Sequence, residues 1–303
     1  MGIVSGGPGK LVLTGVPVDS AGVPAASAPP YGCELAPDAL RDAGLAVALG
    51  ATDGGDMAAR IVGQDRDPDS GVVGWASVAA VTRTVRNQVS GLLADEKVPV
   101  LIGGCCTLLP GALAAARDIL GPVGLAYVDG HLDLYDGITS TTGEAADMPI
   151  AVVAGLGPAQ WVEQVSAPLV PFGRLVLLGA SDREESAALG AALPEQLGID
   201  PEVAPADLRS AGPGQTGYAA VARLGDRYWV HLDVDVLDKR EFAAADYPNE
   251  NGLTRDELAA LLPPLVRSPG MIGFSLACYN PAKDAGGGAR LLTQLLGTAF
   301  ASV

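Results

Sequence analysis

Histidine is scarce in this chain. Its 303 residues include two, His131 and His231. Basic residues are also few, with 19 Lys and Arg against 35 Asp and Glu and a formal net charge of -16. That balance argues against nucleic acid or an anionic membrane surface as a partner, since both are held by basic faces. It favours cations instead, including metals and cationic substrates. No apolar run reaches the roughly 18 uncharged residues that a membrane span needs. The start carries no basic segment leading into an apolar one, so no secretory signal is read there. Cysteine numbers four, Cys33, Cys105, Cys106 and Cys278. Cys105 and Cys106 are adjacent, which disfavours a disulfide between them, and a reducing, cytoplasmic home with thiols as core or ligand groups is expected.

What is present is apolar and punctuated. Hydrophobic residues make up 49% of the chain, enough for a sizeable core. With no linker and no internal repeat, residues 1–303 read as one domain with a frayed leader over 1–10. LVLTGVPVD, PVLIGG (99–104), VGLAYVDGHLD, RLVLLGASDREE, RYWVHLDVDVLD and MIGFSLACYNP read as strands. APDALRDAGLAVAL, the run from Trp75 to Lys97, TLLPGALAAARDIL, LTRDELAALLPPLV and LLTQLLGTAFASV read as helices, the fourth cut short by Pro263. SAGVPAASAPPYGCE, ATDGGDM and GQDRDPDSG read as loops, and residues 195–225 as a shorter β/α passage. Strand and helix alternating throughout predict an α/β fold, three layers with a mostly parallel central sheet between helices. Ligands in such sheets bind beyond the carboxyl ends of the strands.

Two stretches fall at such ends. In VDGHLDLYD, Asp129, His131 and Asp133 are spaced two apart, so on extended backbone they share one face. In YWVHLDVDVLD, His231, Asp233 and Asp235 repeat the spacing behind a strong β run. Carboxylates crowded on two buried strand ends would be driven to protonate by desolvation and mutual repulsion. One divalent cation, or two, removes the difficulty. Between them the two motifs hold both histidines of the chain.

The order GGCCT, DGHLD, GEAADMP, HLDVDVLD, NGLT and YNP resembles the ureohydrolase family of arginases, agmatinases and formiminoglutamases, over nearly the whole chain. The resemblance implies an arginase-like fold, a binuclear manganese site and a homo-oligomer, trimer or hexamer. It also implies the ligands. Asp129 and Asp233 would bridge the ions, His131 and Asp235 would complete one site, and Asp133 with Cys106 the other. The family has GGDHS where this chain has Gly103, Gly104, Cys105, Cys106 and Thr107. Thiolate suits zinc or iron better than manganese, so Cys106 opens the choice of metal.

Other departures touch substrate and proton. Ala146 in GEAADMP stands where the family has a proton-shuttling His, and Cys278 where it has a Glu that holds the guanidinium. Lys239 follows DVDVLD in place of Pro. Thr142 and Glu144 stand where arginases hold an α-carboxylate, and Glu144 would repel one, which favours an amine or neutral substrate. Glu184 matches an acid that receives an α-amino group. The function expected is metal-dependent hydrolysis of a C–N bond other than a peptide bond in a guanidino or amidine small molecule. A hydroxide between the metals would be the nucleophile, oriented by Asp133, with His131 among the ligands of the metals. An ordinary arginase is not expected, and a biosynthetic role is open. The competing reading is an arginase-fold protein that has lost hydrolysis and acts as a binding or scaffolding partner.

Overall fold

The computed structural model describes residues 10–20, 32–63, 65–200, 202–284 and 286–301. Eight strands form one sheet: β1 (Leu11–Gly15), β2 (Thr52–Asp56), β3 (Val98–Ile102), β4 (Gly124–Val128), β5 (Leu175–Leu178), β6 (Glu202–Val203), β7 (Tyr228–Asp233) and β8 (Met271–Ala277). Their order across the sheet is β2-β1-β3-β8-β7-β4-β5-β6, and every pairing is parallel. The inner strands β3, β4, β5 and β7 are buried along their whole length. That explains why they read as continuous apolar runs rather than alternating ones.

Side-chain alternation divides the core into two layers. Leu125, Tyr127, Leu175, Leu177 and Trp229 face one layer, with the helix Trp75–Ala94 and the helix Leu109–Leu120 packed on them. Ala126, Val128, Val176, Leu178, Val230 and Leu232 face the other, against the helices Arg255–Arg267 and Gly287–Phe300. Apolar surface thus leaves water on both faces, at roughly 1.5–3 kcal/mol for each large side chain fully buried. Among the described residues no helix is long and apolar enough to cross a membrane.

Two expectations need correction and two fall outside view. The ATDGGDM segment is not a loop, because Thr52–Asp56 pairs in parallel with β1 as an exposed edge strand. It lacks an apolar face for the reason that an edge strand needs none. Pro263 does not end its helix, which continues through Pro263 and Pro264 to Arg267. The carbonyls that the two prolines leave unbonded are those of Ala259 and Ala260, both exposed, while Leu258, Leu261, Leu262 and Leu265 anchor the buried side. The leader over 1–9 and most of the SAGVPAASAPPYGCE loop lie outside the described residues.

Candidate metal centre

Four strand ends meet at one point of the sheet's carboxyl rim. β4 and β7 are neighbours in register, with Tyr127 opposite His231, whose rings stack 5.0 Å apart at an interplanar angle of 7°. Two residues on from each, Asp129 and Asp233 leave the same face of the sheet. Each then makes the same turn. Asp129 Oδ1 accepts the amide of His131 at 2.8 Å, and Asp233 Oδ1 accepts the amide of Asp235 at 2.8 Å. These side-chain turns swing the next donor toward the facing motif. Gly130 permits the approach, since a Cβ there would stand 2.6 Å from the carbonyl oxygen of Asp235.

The thiols arrive from β8, the neighbour of β7, and from β3, the strand beyond it. β3 ends in Gly103 and Gly104, both at positive φ, and a Cβ on Gly104 would meet the carbonyl oxygens of Val18 and Val16 at 2.5 and 2.6 Å. Only glycine fits that turn, which delivers Cys105 and Cys106 to the rim. β8 ends at Ala277, and Cys278 follows in the left-handed region at φ 63°. A cysteine rarely adopts it, and such strain gathers at functional sites.

The donors sort into groups. The ligand atoms of Asp129, His131 and Asp235 lie within 4.8 Å of one another, and so do those of Cys106, Asp233 and Cys278. A third set, Cys106, Asp129 and His231, joins the two. His131 Nδ1 is 3.1 Å from Asp235 Oδ2, and Cys106 Sγ is 2.8 Å from Asp233 Oδ2 and 3.7 Å from Cys278 Sγ. Asp133 is buried at the edge of this cluster in none of the three sets, and its Oδ2 accepts the Tyr127 hydroxyl.

Electrostatics makes the cluster costly as it stands. Burial, then the neighbouring carboxylates, drives Asp129 well above the ordinary range, and burial drives Asp233 up to about 8. Asp133 is raised well too, by burial, against the pull of His131 and the Tyr127 hydroxyl. Burial would lower His131, but Asp235, Asp129 and Asp133 outweigh it and hold it well above its usual value. A buried set of acids that clings to protons is a set that a divalent cation would relieve. Burial takes His231 the other way, down to about 3, so its ring is neutral at physiological pH.

A cavity opens above the donors. Cys106, Asp129, His131, Asp133, Asp233, Asp235 and Cys278 form part of its wall, with Thr142 and Glu144 further out. Glu184 is not there. It is exposed at the start of the helix Arg183–Ala188, and Asp182 and Glu185 line the cavity in its place. A shift of one residue turns a helical side chain by about 100°, so neighbouring acids of this segment face different ways. Asp147 and Tyr247 also line the cavity and were not foreseen. Asp147 follows Ala146, also in the wall, by one residue, and Tyr247 donates its hydroxyl to Glu144. Among the described residues, the lining includes no Lys or Arg.

A description of the arginase family matches residues 9–301. The chain belongs to the arginase family. An arginase of Agrobacterium fabrum is 25% identical to it over 303 residues, covering 95% of this chain and 90% of the relative. Among solved structures, the arginase from Bacillus caldovelox superposes with a TM-score of 0.83 at 21% identity, over 97% of this chain and 98% of that one. The agmatine ureohydrolase of Thermoplasma volcanium superposes at 0.69 and 22% identity, over 97% and 89%. The expected three-layer arginase-like fold is therefore the fold observed, with a sheet parallel throughout.

Proposed function

We propose that this chain is a metal-dependent hydrolase that cleaves a C–N bond other than a peptide bond in a guanidino or amidine small molecule whose far end is cationic or neutral. One observation carries the reading. Asp129, His131 and Asp235 converge at the base of a cavity whose outer wall offers Glu144, Asp147 and Glu185 and no basic side chain among the described residues. Two carboxylates and an imidazole suit a manganese ion. When bound, such a cation supplies Lewis acidity and lowers the pKa of water toward neutrality.

The chain's own groups do the rest. Asp133, oriented by the Tyr127 hydroxyl, is a buried acceptor beside the donors, placed to hold an attacking water by hydrogen bond. Asp147 is pushed up to about 7 by burial, and its buried Oδ1 has no hydrogen-bond partner among the described residues. A proton on it can move at neutral pH, a role for which Ala146 offers no atom. The acids of the outer wall attract a cationic tail and repel a carboxylate. The agmatine ureohydrolase among the structural neighbours is named for a substrate of that kind.

The test is release of amine and of the amidine-derived product from paired guanidino compounds, with and without an α-carboxylate, after loading with manganese. We expect the decarboxylated member of each pair to be the better substrate. Preference for L-arginine would overturn the assignment of the tail. Full metal content with no turnover across guanidino, N-hydroxyguanidino and formimino compounds would favour the scaffold.

A further inference from the structure

The inner donors do not fit manganese. Cys106 and Cys278 are two thiols that follow β3 and β8 and lie close to Asp233, and a hard oxygen-seeking cation gains little from sulfur. Tetrahedral zinc with Zn–S near 2.3 Å sets two thiolate ligands about 3.8 Å apart. The observed Sγ–Sγ separation is 3.7 Å. Asp233 Oδ2 lies within reach of both, and Asp129 Oδ2 is 3.8 Å from Cys106 Sγ on the side of the outer group.

Behind Cys106 stands a directed chain of hydrogen bonds. Trp229 Nε1–H can only donate, and it donates to Ser275 Oγ at 2.9 Å. The Ser275 hydroxyl is fully buried, and His231 Nδ1 at 2.7 Å is the acceptor given to it among the described residues. If Nδ1 accepts, the neutral ring carries its proton on Nε2, which is 3.2 Å from Cys106 Sγ. The ring is held in that plane by its stack on Tyr127. In that tautomer His231 presents an N–H to sulfur rather than a lone pair to a metal.

We propose that Cys106, Cys278 and Asp233 form a thiolate-rich site that takes zinc in preference to manganese, and that His231 is a positioning residue whose Nε2–H, fixed by Ser275 and Trp229, supports Cys106 as a thiolate ligand. The inference rests on the reading of this rim as a cation site, but not on turnover. It assigns Cys278 to the metal rather than to substrate. It leaves Asp129, His131 and Asp235 as a separate, harder site.

The experiment uses the full-length protein, stripped by chelator and dialysed against equimolar zinc and manganese, then assayed for metal per chain. In parallel, cobalt replaces zinc and the thiolate-to-cobalt charge-transfer absorption is recorded. We expect one zinc per chain in the inner site, with strong charge-transfer absorption that falls by about half in Cys278→Ala and in Cys106→Ala. His231→Ala should keep the absorption, shifted in wavelength, and weaken zinc roughly 10–100-fold, the usual effect of losing an outer hydrogen-bond partner. Ser275→Ala should move both readouts the same way by less. Manganese retained through His131 in each variant shows that the fold stands. Undiminished absorption in Cys278→Ala would remove Cys278 as a ligand, and unchanged zinc affinity in His231→Ala would remove the positioning role. Equal manganese in both sites with no thiolate absorption would overturn the whole proposal. Zinc bound as described in a protein that turns over nothing would sink the hydrolase reading and leave this one intact.

Discussion

The two donor groups at the rim share Asp129 as a neighbour yet differ in kind. The outer one, Asp129, His131 and Asp235, is built from one β4 end and one β7 end, opens on the cavity and holds oxygen and nitrogen. The inner one draws on the ends of β3, β7 and β8, lines the same cavity with His231 set against Cys106, and holds two sulfurs. Both use the same strand-end turn to aim their carboxylates. Backbone geometry thus sets where a cation could sit, while the side chains set which cation the donors would suit.

The contrast can be broken most severely at the residue nearest both groups. Asp129→Ala removes an outer donor and the nearest carboxylate to the inner sulfurs, and it also frees the His131 amide. We expect loss of the outer cation and weaker binding of the inner one by elemental analysis, with activity below detection. Retention of both cations at full affinity would refute Asp129 as an outer donor. His131→Ala should divide the groups, with manganese lost and zinc kept. Turnover should drop by several orders of magnitude if, as proposed, the outer cation is the one that would supply Lewis acidity for hydrolysis. Parallel loss of both metals would mean that the groups are one site.

A smaller effect separates the rim from the outer wall. Asp147 is raised to about 7 by burial, so it is largely protonated below that pH and ionised above it. If it holds a cationic tail, KM should rise by up to about tenfold for each pH unit below 7, since only the ionised fraction binds. Asp147→Asn should remove that limb and leave metal content unchanged. Stability runs the opposite way. The unfolded carboxyl ionises near 3.9, so between that pH and about 7 the folded state holds the extra proton and stability falls as pH rises. Above pH 7 the Asn variant should be the more heat-stable, and near pH 3 the two should melt alike. A KM profile identical in wild type and variant would place the tail elsewhere.

Much of the fold could be read from the chain, because buried parallel strands leave apolar runs that end in Gly or Asp. The two-residue spacing of Asp129 and His131, and of Asp233 and Asp235, survived folding because strand alternation and a two-residue turn both preserve it. Thr52–Asp56 could not be read, since an edge strand that needs no buried face leaves only turn-like residues. Which acids of the 182–185 segment line the cavity depends on helix phase, which puts Asp182 and Glu185 in its wall and leaves Glu184 exposed. His231 was seen as part of the second motif, but its partner Ser275 lies 44 residues further on, and nothing local links them. Cys278 was placed by resemblance at a substrate position. Its 3.7 Å approach to Cys106 is a property of the sheet order, which puts β8 between β3 and β7.

Anomalous scattering recorded on one crystal above and below the zinc and manganese edges tests the two-group account most directly. It predicts a zinc signal among Cys106, Cys278 and Asp233, and a manganese signal among Asp129, His131 and Asp235. Manganese at both positions, or a single ion shared by all the donors, would contradict it.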